Sequence, residues 1–202
     1  MAELEAIPLQ RRVDIKFLIP KEKLLFLFEE FSSKENAFIL EVKGSRITHY
    51  TNTYFDTPDF KFYHDHHSQK LNRVKVRARS YSTSEKSYLE QKKRSNKDKV
   101  EKVRIPFLPN ESYPFEELRS KSKVLHTSPF LEEKINIKYS RITLANKDFS
   151  EKATFDLNLT QSASNQSIAY PEMVVAEVKQ PKLSFQSDFL KALKVLKYYP
   201  VS

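Results

Sequence analysis

The sequence predicts an α+β fold in which an antiparallel sheet closes into a barrel flanked by helices. Three observations carry this expectation. Apolar and charged residues alternate over much of the chain. The alternating stretches are rich in Tyr, Phe, Val, Ile and Thr, which favour strands. Helical spacing of apolar residues appears only near the two ends.

The first alternating stretch is Arg12-Val-Asp14-Ile-Lys16-Phe17. A helix is predicted to begin near Pro20, where Pro and charged residues precede Leu24, Leu25, Leu27, Phe28 and Phe31. Arg73-Val-Lys75-Val-Arg77-Ala-Arg79 then puts four cations at every second position. On a strand they share one face, while Val74, Val76 and Ala78 share the other. Glu90, Lys92 and Arg94 share a phase, as do Lys102 and Arg104 beside Val103 and Ile105. Lys152, Thr154 and Asp156 alternate with Ala153, Phe155 and Leu157, and Glu177 and Lys179 with Ala176 and Val178. A second helix is predicted over Gln186 to Leu196, with Phe189, Leu190, Leu193 and Leu196 on one face. Pro106 to Pro114 and Ser162 to Pro171, rich in Pro, Asn and Ser, are expected to be loops within one domain spanning residues 1–202.

A single strand of this kind is what a wet outer face produces. The set is harder to explain that way. Four cations in a row repel one another unless something anionic neutralises them. A closed barrel with its charged face turned inward around an anion accounts for all the segments, and closure removes exposed sheet edges.

Composition narrows the chemistry. Lys and Arg total 35 against 26 Asp and Glu, a net charge of +9, which suits a polyanionic partner. The lone glycine, Gly44, excludes a P-loop and a dinucleotide fingerprint. The absence of cysteine excludes thiol catalysis and cysteine metal sites. The longest apolar run, Leu24 to Phe28, falls far short of the ~20 residues that span a membrane. The N-terminus does not read as a signal peptide, and the expected location is the cytoplasm.

Several segments together resemble the catalytic domain of the vacuolar transporter chaperone (VTC) family. They are TNTYFDTPDF (Thr51 to Phe60), RVKVRARSY (Arg73 to Tyr81), LEQKKR (Leu89 to Arg94), VEKVRIPF (Val100 to Phe107), YSR (Tyr139 to Arg141) and AEVKQP (Ala176 to Pro181). Those proteins are polyphosphate polymerases within the triphosphate tunnel metalloenzyme superfamily. The resemblance runs in order from about Arg12 to Tyr198. It implies a closed antiparallel eight-stranded β-barrel, the triphosphate tunnel fold, gripping a linear phosphate chain. By position, Lys16, Lys92 and Lys102 match phosphate-binding lysines, and Arg77 and Arg79 the paired arginines of the central strand. Tyr139 and Arg141 match the family's Tyr-x-Arg, Glu177 its metal-binding glutamate, and Lys197 the lysine of its C-terminal helix. Asp14 stands where bacterial relatives carry Glu, and Lys152 where the family has Arg. Leu196 and Tyr199 depart from the family's Ser-Lys-Tyr-Cys around Lys197.

The resemblance implies a metal-dependent phosphotransferase that moves the γ-phosphate of ATP onto inorganic polyphosphate, using Mn²⁺ or Mg²⁺ at Glu177. Substrate contacts are expected from Lys16, Lys75, Arg77, Arg79, Lys92, Lys102, Tyr139, Arg141, Lys152 and Lys197. Lys16, Arg77, Arg79, Lys102 and Lys197 are expected to act on the reacting phosphates. The expected partners are ATP, polyphosphate, and pyrophosphate or triphosphate, with neither nucleic acid nor membrane. Two alternatives stay open: a metal-dependent triphosphatase or nucleoside-triphosphate hydrolase, and a non-catalytic polyanion-binding domain. A hydrolase needs a carboxylate to activate water, for which Glu90, Asp14 and Asp156 are candidates. Triphosphatases tend to carry Glu-x-Glu-x-Lys on the first strand. Here Arg12 replaces the first acid of that pattern, which favours the polymerase.

One cluster stands apart. His64-Asp65-His66-His67 has residue types that suit a metal, but a solvated loop is the expected setting. Lys93, Lys97 and Lys99 are expected in a solvated hairpin turn.

Overall fold

The computed structural model describes residues 13–32, 37–96, 100–122, 125 and 130–201. Among them are ten strands and four α-helices. The strands are β1 (Val13–Pro20), β2 (Ala37–Ile39), β3 (Thr48–Asp56), β4 (Arg73–Tyr81), β5 (Ser87–Arg94), β6 (Val100–Phe107), β7 (Glu132–Asn146), β8 (Lys152–Ala163), β9 (Gln166–Tyr170) and β10 (Met173–Gln180). The helices are α1 (Leu24–Ser32), α2 (Lys61–His67), α3 (Phe115–Lys121) and α4 (Asp188–Val195). The strands run in the order β1-β10-β8-β7-β3-β4-β5-β6, with β2 added to β7 and β9 to β8.

Two expectations need correction. Among the described residues the sheet has ten strands rather than eight, and its path ends at β1 and β6 rather than closing into a barrel. The extra strands, β2 and β9, have three and five residues, too short for alternation to register. At the β1 end, the outer edge is met by the C-terminal segment: Val201 N–H donates to the Lys16 carbonyl at 2.8 Å. The expected loop at Ser162 to Pro171 is mostly β-hairpin. β8 ends at Ala163, the chain turns through Ser164 at φ 52°, and β9 begins at Gln166.

The chain divides into two compact units. The first comprises Met1–His49, Tyr139–Leu159 and Ala169–Ser202. Its core joins one sheet face (Phe17, Ile19, Phe155, Val174, Ala176, Val178) to Leu24, Leu27 and Phe31 of α1 and to Phe189 and Leu193 of α4. Spacing by three and four puts Leu24, Leu27 and Phe31 on one helix face. Phe31 meets Phe189 edge-on with ring centroids 5.0 Å apart. Each such side chain, fully buried, contributes about 1.5–3 kcal/mol. The Ser187 hydroxyl caps α4 by accepting the Leu190 N–H and donates to Glu151 at 2.6 Å. The helix stops in a Schellman turn: Tyr198 N–H bonds to the Leu193 carbonyl and Lys197 N–H to the Lys194 carbonyl.

The second unit comprises Tyr50–Lys138 and Thr160–Ile168. Val74, Val76, Ala78, Leu89, Ile105 and Phe55 of the sheet pack with Phe62 of α2 and Leu118 of α3. The Asp56 carboxylate starts α2. It accepts the Thr57 and Phe62 N–H groups on Oδ1 and the Tyr63 N–H on Oδ2, at 2.7–2.8 Å. These bonds offset the left-handed backbone of Phe60, at φ 57°. His64, Asp65, His66 and His67 therefore lie on a helix, not in the expected loop.

Candidate functional site

In each unit the sheet face opposite the core is charged. In the second unit, pairing aligns residues of the same phase on neighbouring strands. Lys75 of β4 lies opposite Lys92 of β5, which lies opposite Lys102 of β6. Strand spacing puts successive members about 4.8 Å apart at the backbone. The next row is Tyr54, Arg77, Glu90 and Arg104, and the one after it is Asn52, Arg79 and Tyr88. Lys75, Lys92 and Lys102 are exposed, while Arg77 and Arg79 are half-buried.

Glu90 organises the middle of this face. Its Oε2 accepts from Arg77 Nε at 2.8 Å, and Arg104 Nε lies 3.4 Å from its Oε1. Arg79 reaches it at 4.0 Å and donates to Asn52 Oδ1 at 2.9 Å. Arg104 lies over the Tyr88 ring, 3.5 Å from its centroid. Burial pushes the Tyr54 phenol up, but Arg77, Lys75 and Arg79 outweigh it and bring it below its ordinary value. A phenol is thus poised among cations that favour negative charge.

The first unit carries a mixed face. One row is Asp14, Lys179 and Lys152; the next is Lys16, Glu177 and Thr154; the third is Leu18, Val175 and Asp156. Arg141 of β7 grips Asp156 bidentately at 2.5 and 2.7 Å and stacks over Tyr139, 5.1 Å from its ring centroid. Glu177 accepts a hydrogen bond from Lys179. Burial pushes the Glu177 carboxyl up, yet Lys179, Lys16 and Arg141 together hold it below the usual carboxylate range. Lys179 is pulled down by burial more than Glu177 and Asp14 raise it.

The predicted residues thus fall into two groups. Lys75, Arg77, Arg79, Lys92 and Lys102 share one face, and Lys16, Tyr139, Arg141, Lys152 and Glu177 lie in the first unit. Lys197 differs from its expected setting. It stands one residue past the cap of α4, exposed, with left-handed backbone at φ 60°. The following Tyr-Tyr-Pro cannot extend a helix past Pro200, and Tyr198 packs back on the core. Arg12, Lys97 and Lys99 lie outside the described residues. Sequence reasoning missed Tyr54 and Thr154; the first shares the phase of the charged rows, while the second reads as an ordinary strand former.

The histidine cluster sits around an engaged carboxylate. Asp65 is buried and spent on Lys61 and Lys70, at 2.6 Å each. Among the described residues no three His, Cys, Asp or Glu side chains converge as metal ligands.

A family model described as the VTC domain matches residues 11–198. The chain belongs to the VTC domain family. This VTC domain matches no curated protein by sequence. Its fold is similar to that of triphosphate tunnel proteins. A solved structure from Hippeastrum, a putative adenylyl cyclase described as having a dominant triphosphatase activity, superposes with a TM-score of 0.57 at 15% identity, covering 93% of this chain and 90% of the other. Two Pyrococcus horikoshii proteins, PH1012 and PH1819, align over 93% of this chain and 88% of theirs, with TM-scores of 0.46 and 0.47 and identities of 13% and 12%.

The family implies a divalent metal. Glu177 is half-buried with its carboxyl held below the usual range, and the Thr154 hydroxyl directly across from it is buried without a hydrogen-bond partner. Oxygen donors of this kind fit a hard divalent cation that takes one or two protein ligands and completes its shell with water and phosphate oxygens.

Proposed function

We propose that this VTC domain is a polyphosphate polymerase, a metal-dependent phosphotransferase that moves the γ-phosphate of ATP onto a growing polyphosphate chain. The observation that carries the reading is the row Lys75, Lys92, Lys102, set across three strands next to the Arg77 row. A linear phosphate chain laid across the strands meets one ammonium per strand. Arg77 and Arg79 offer planar forks for its non-bridging oxygens. Lys16, Lys152, Arg141, Tyr139 and Lys197 are proposed to hold the remaining phosphates. We read residues 1–202 as one such domain, an assignment supported by a single family match that spans both units.

In the proposed reaction a terminal oxygen of the acceptor chain attacks the γ-phosphorus in line. The bond from that phosphorus to the β–γ bridging oxygen breaks, and ADP leaves. The attacking oxygen is already anionic, so no general base is needed. Glu177 would hold Mn²⁺ or Mg²⁺, which when bound neutralises charge on the nucleotide's phosphate oxygens. In the second unit, Lys102, Arg77 and Arg79 would neutralise phosphate charge and fix its direction; Lys16 is proposed as a phosphate-binding lysine of the first unit.

Hydrolysis of triphosphate is the second reading, favoured by the activity described for the Hippeastrum relative. Against it, the candidate water-activating carboxylates Glu90 and Asp156 are engaged, Glu90 by Arg77 and Arg104 and Asp156 by Arg141. Incubation with ATP, Mn²⁺ and a pyrophosphate primer separates the readings. Long chains with ADP support the polymerase. Free phosphate without chains means a hydrolase, and salt-dependent binding without either product means a binding module.

A further inference from the structure

Thr154 is 5% exposed, and its Oγ1 is one of the buried polar atoms without a hydrogen-bond partner among the described residues. Its neighbours in sequence, Ala153 and Phe155, point to the core of the first unit. Alternation turns Thr154 to the charged face instead. There it lies opposite Glu177, with Lys16 on the far side of Glu177 in the same row. Asp156 shares its face two residues along β8. A buried hydroxyl without a partner is destabilising. Valine would fill the same space without that penalty, so packing does not account for a threonine here.

The surroundings say what the hydroxyl suits. It can offer a lone pair next to an ionised carboxylate, and both are hard oxygen donors. Glu177 now accepts from Lys179, so a cation arriving at Glu177 must displace that ammonium. Thr154 has no bond to give up. We propose that Thr154 Oγ1 is a second protein ligand of the divalent cation, paired with Glu177 across β8 and β10. This rests on the reading of Glu177 as the metal-holding carboxylate.

The test is Mn²⁺ binding to the full chain, read from the loss of the free-ion electron paramagnetic resonance signal, with and without tripolyphosphate. Thr154→Val is expected to weaken Mn²⁺ binding by roughly 10-fold or more, and Thr154→Ser, which keeps the hydroxyl, to stay within about 3-fold of wild type. Metal-free tripolyphosphate binding is expected to be unchanged in both. Wild-type Mn²⁺ affinity in Thr154→Val, with Glu177→Gln impaired, overturns the role of Thr154 alone. Wild-type affinity in Glu177→Gln as well overturns the metal site itself. Loss of metal-free tripolyphosphate binding with Mn²⁺ binding intact makes the hydroxyl a phosphate ligand and also overturns the proposal. Should Thr154→Val fail to fold, by circular dichroism, Thr154→Ala against Thr154→Ser carries the same comparison.

Discussion

Arg77 and Glu90 face each other across β4 and β5, with the Arg77 Nε 2.8 Å from the Glu90 carboxylate. Arg104 shares that carboxylate and Arg79 stands at its margin. Glu90 is thus an internal anion for three guanidinium groups. It occupies the charge that a phosphate would supply.

Replacing Glu90 with Gln removes this competitor. Tripolyphosphate binding is expected to tighten by roughly 3- to 10-fold at low salt, the size of one like-charge contact near a protein surface. The same change should lower stability by about 1–2 kcal/mol, because three cations lose their counter-charge. Calorimetric titration and thermal melting read the two effects. Weaker binding would mean that Glu90 orients the arginines rather than competing with the ligand.

Arg77→Ala has the opposite sign. Loss of one charge-assisted contact to phosphate costs about 1.5–3 kcal/mol of binding. A change of only a few tenths in the same titration would mean that Arg77 serves Glu90 and Tyr54, not the ligand.

Asp56 is a structural counterpart. It is buried, and its carboxylate holds the start of α2 through the Phe62 and Tyr63 N–H groups while also accepting the Thr57 N–H. Asp56→Asn keeps one acceptor oxygen and turns the other into a donor. The expected cost is about 2–3 kcal/mol, seen in denaturant unfolding. The motif YFDTPDF, conspicuous in the sequence, thus serves helix initiation. Unchanged stability would remove that assignment.

His66 gives the pH dependence. Burial, then Lys75, Arg73 and Lys92, bring its pKa from 6.5 to about 4, against a smaller opposing pull from Asp65. Its Nε2 is buried without a partner. The unfolded chain takes up a proton as pH falls below 6.5, while the folded chain resists until about 4. Stability is therefore full above pH 6.5 and declines toward pH 4. His66→Gln should flatten the melting temperature across that window. Bound tripolyphosphate should raise the His66 pKa by neutralising Lys75 and Lys92, which imidazole chemical shifts would follow. Titration of His66 near 6.5 in the free protein would contradict this account.

Much of the charged face was legible in the sequence because a period of two is a local property. Arg73 to Arg79 and Lys92 to Arg94 needed only their own order to be assigned to strand faces. Register was not legible, since pairing Lys75 with Lys92 and Lys102 depends on contacts between distant segments. α2 was missed because its cap, Asp56, lies six residues before the first N–H of the helix that it binds. α3 was missed because its seven residues bury mainly Leu118, which is too little periodicity to detect. Closure was inferred from charge repulsion, but ion pairs within each face, such as Arg77 with Glu90 and Arg141 with Asp156, already relieve part of that repulsion.

The phosphate grip itself is tested most directly by titrating tripolyphosphate into wild type and into Lys75→Ala/Lys92→Ala/Lys102→Ala at two salt concentrations. The row predicts tight, salt-sensitive binding in wild type. In the triple variant it predicts a loss of roughly 100-fold or more, with a shallower salt dependence. Equal affinity and equal salt dependence in the two proteins would contradict it.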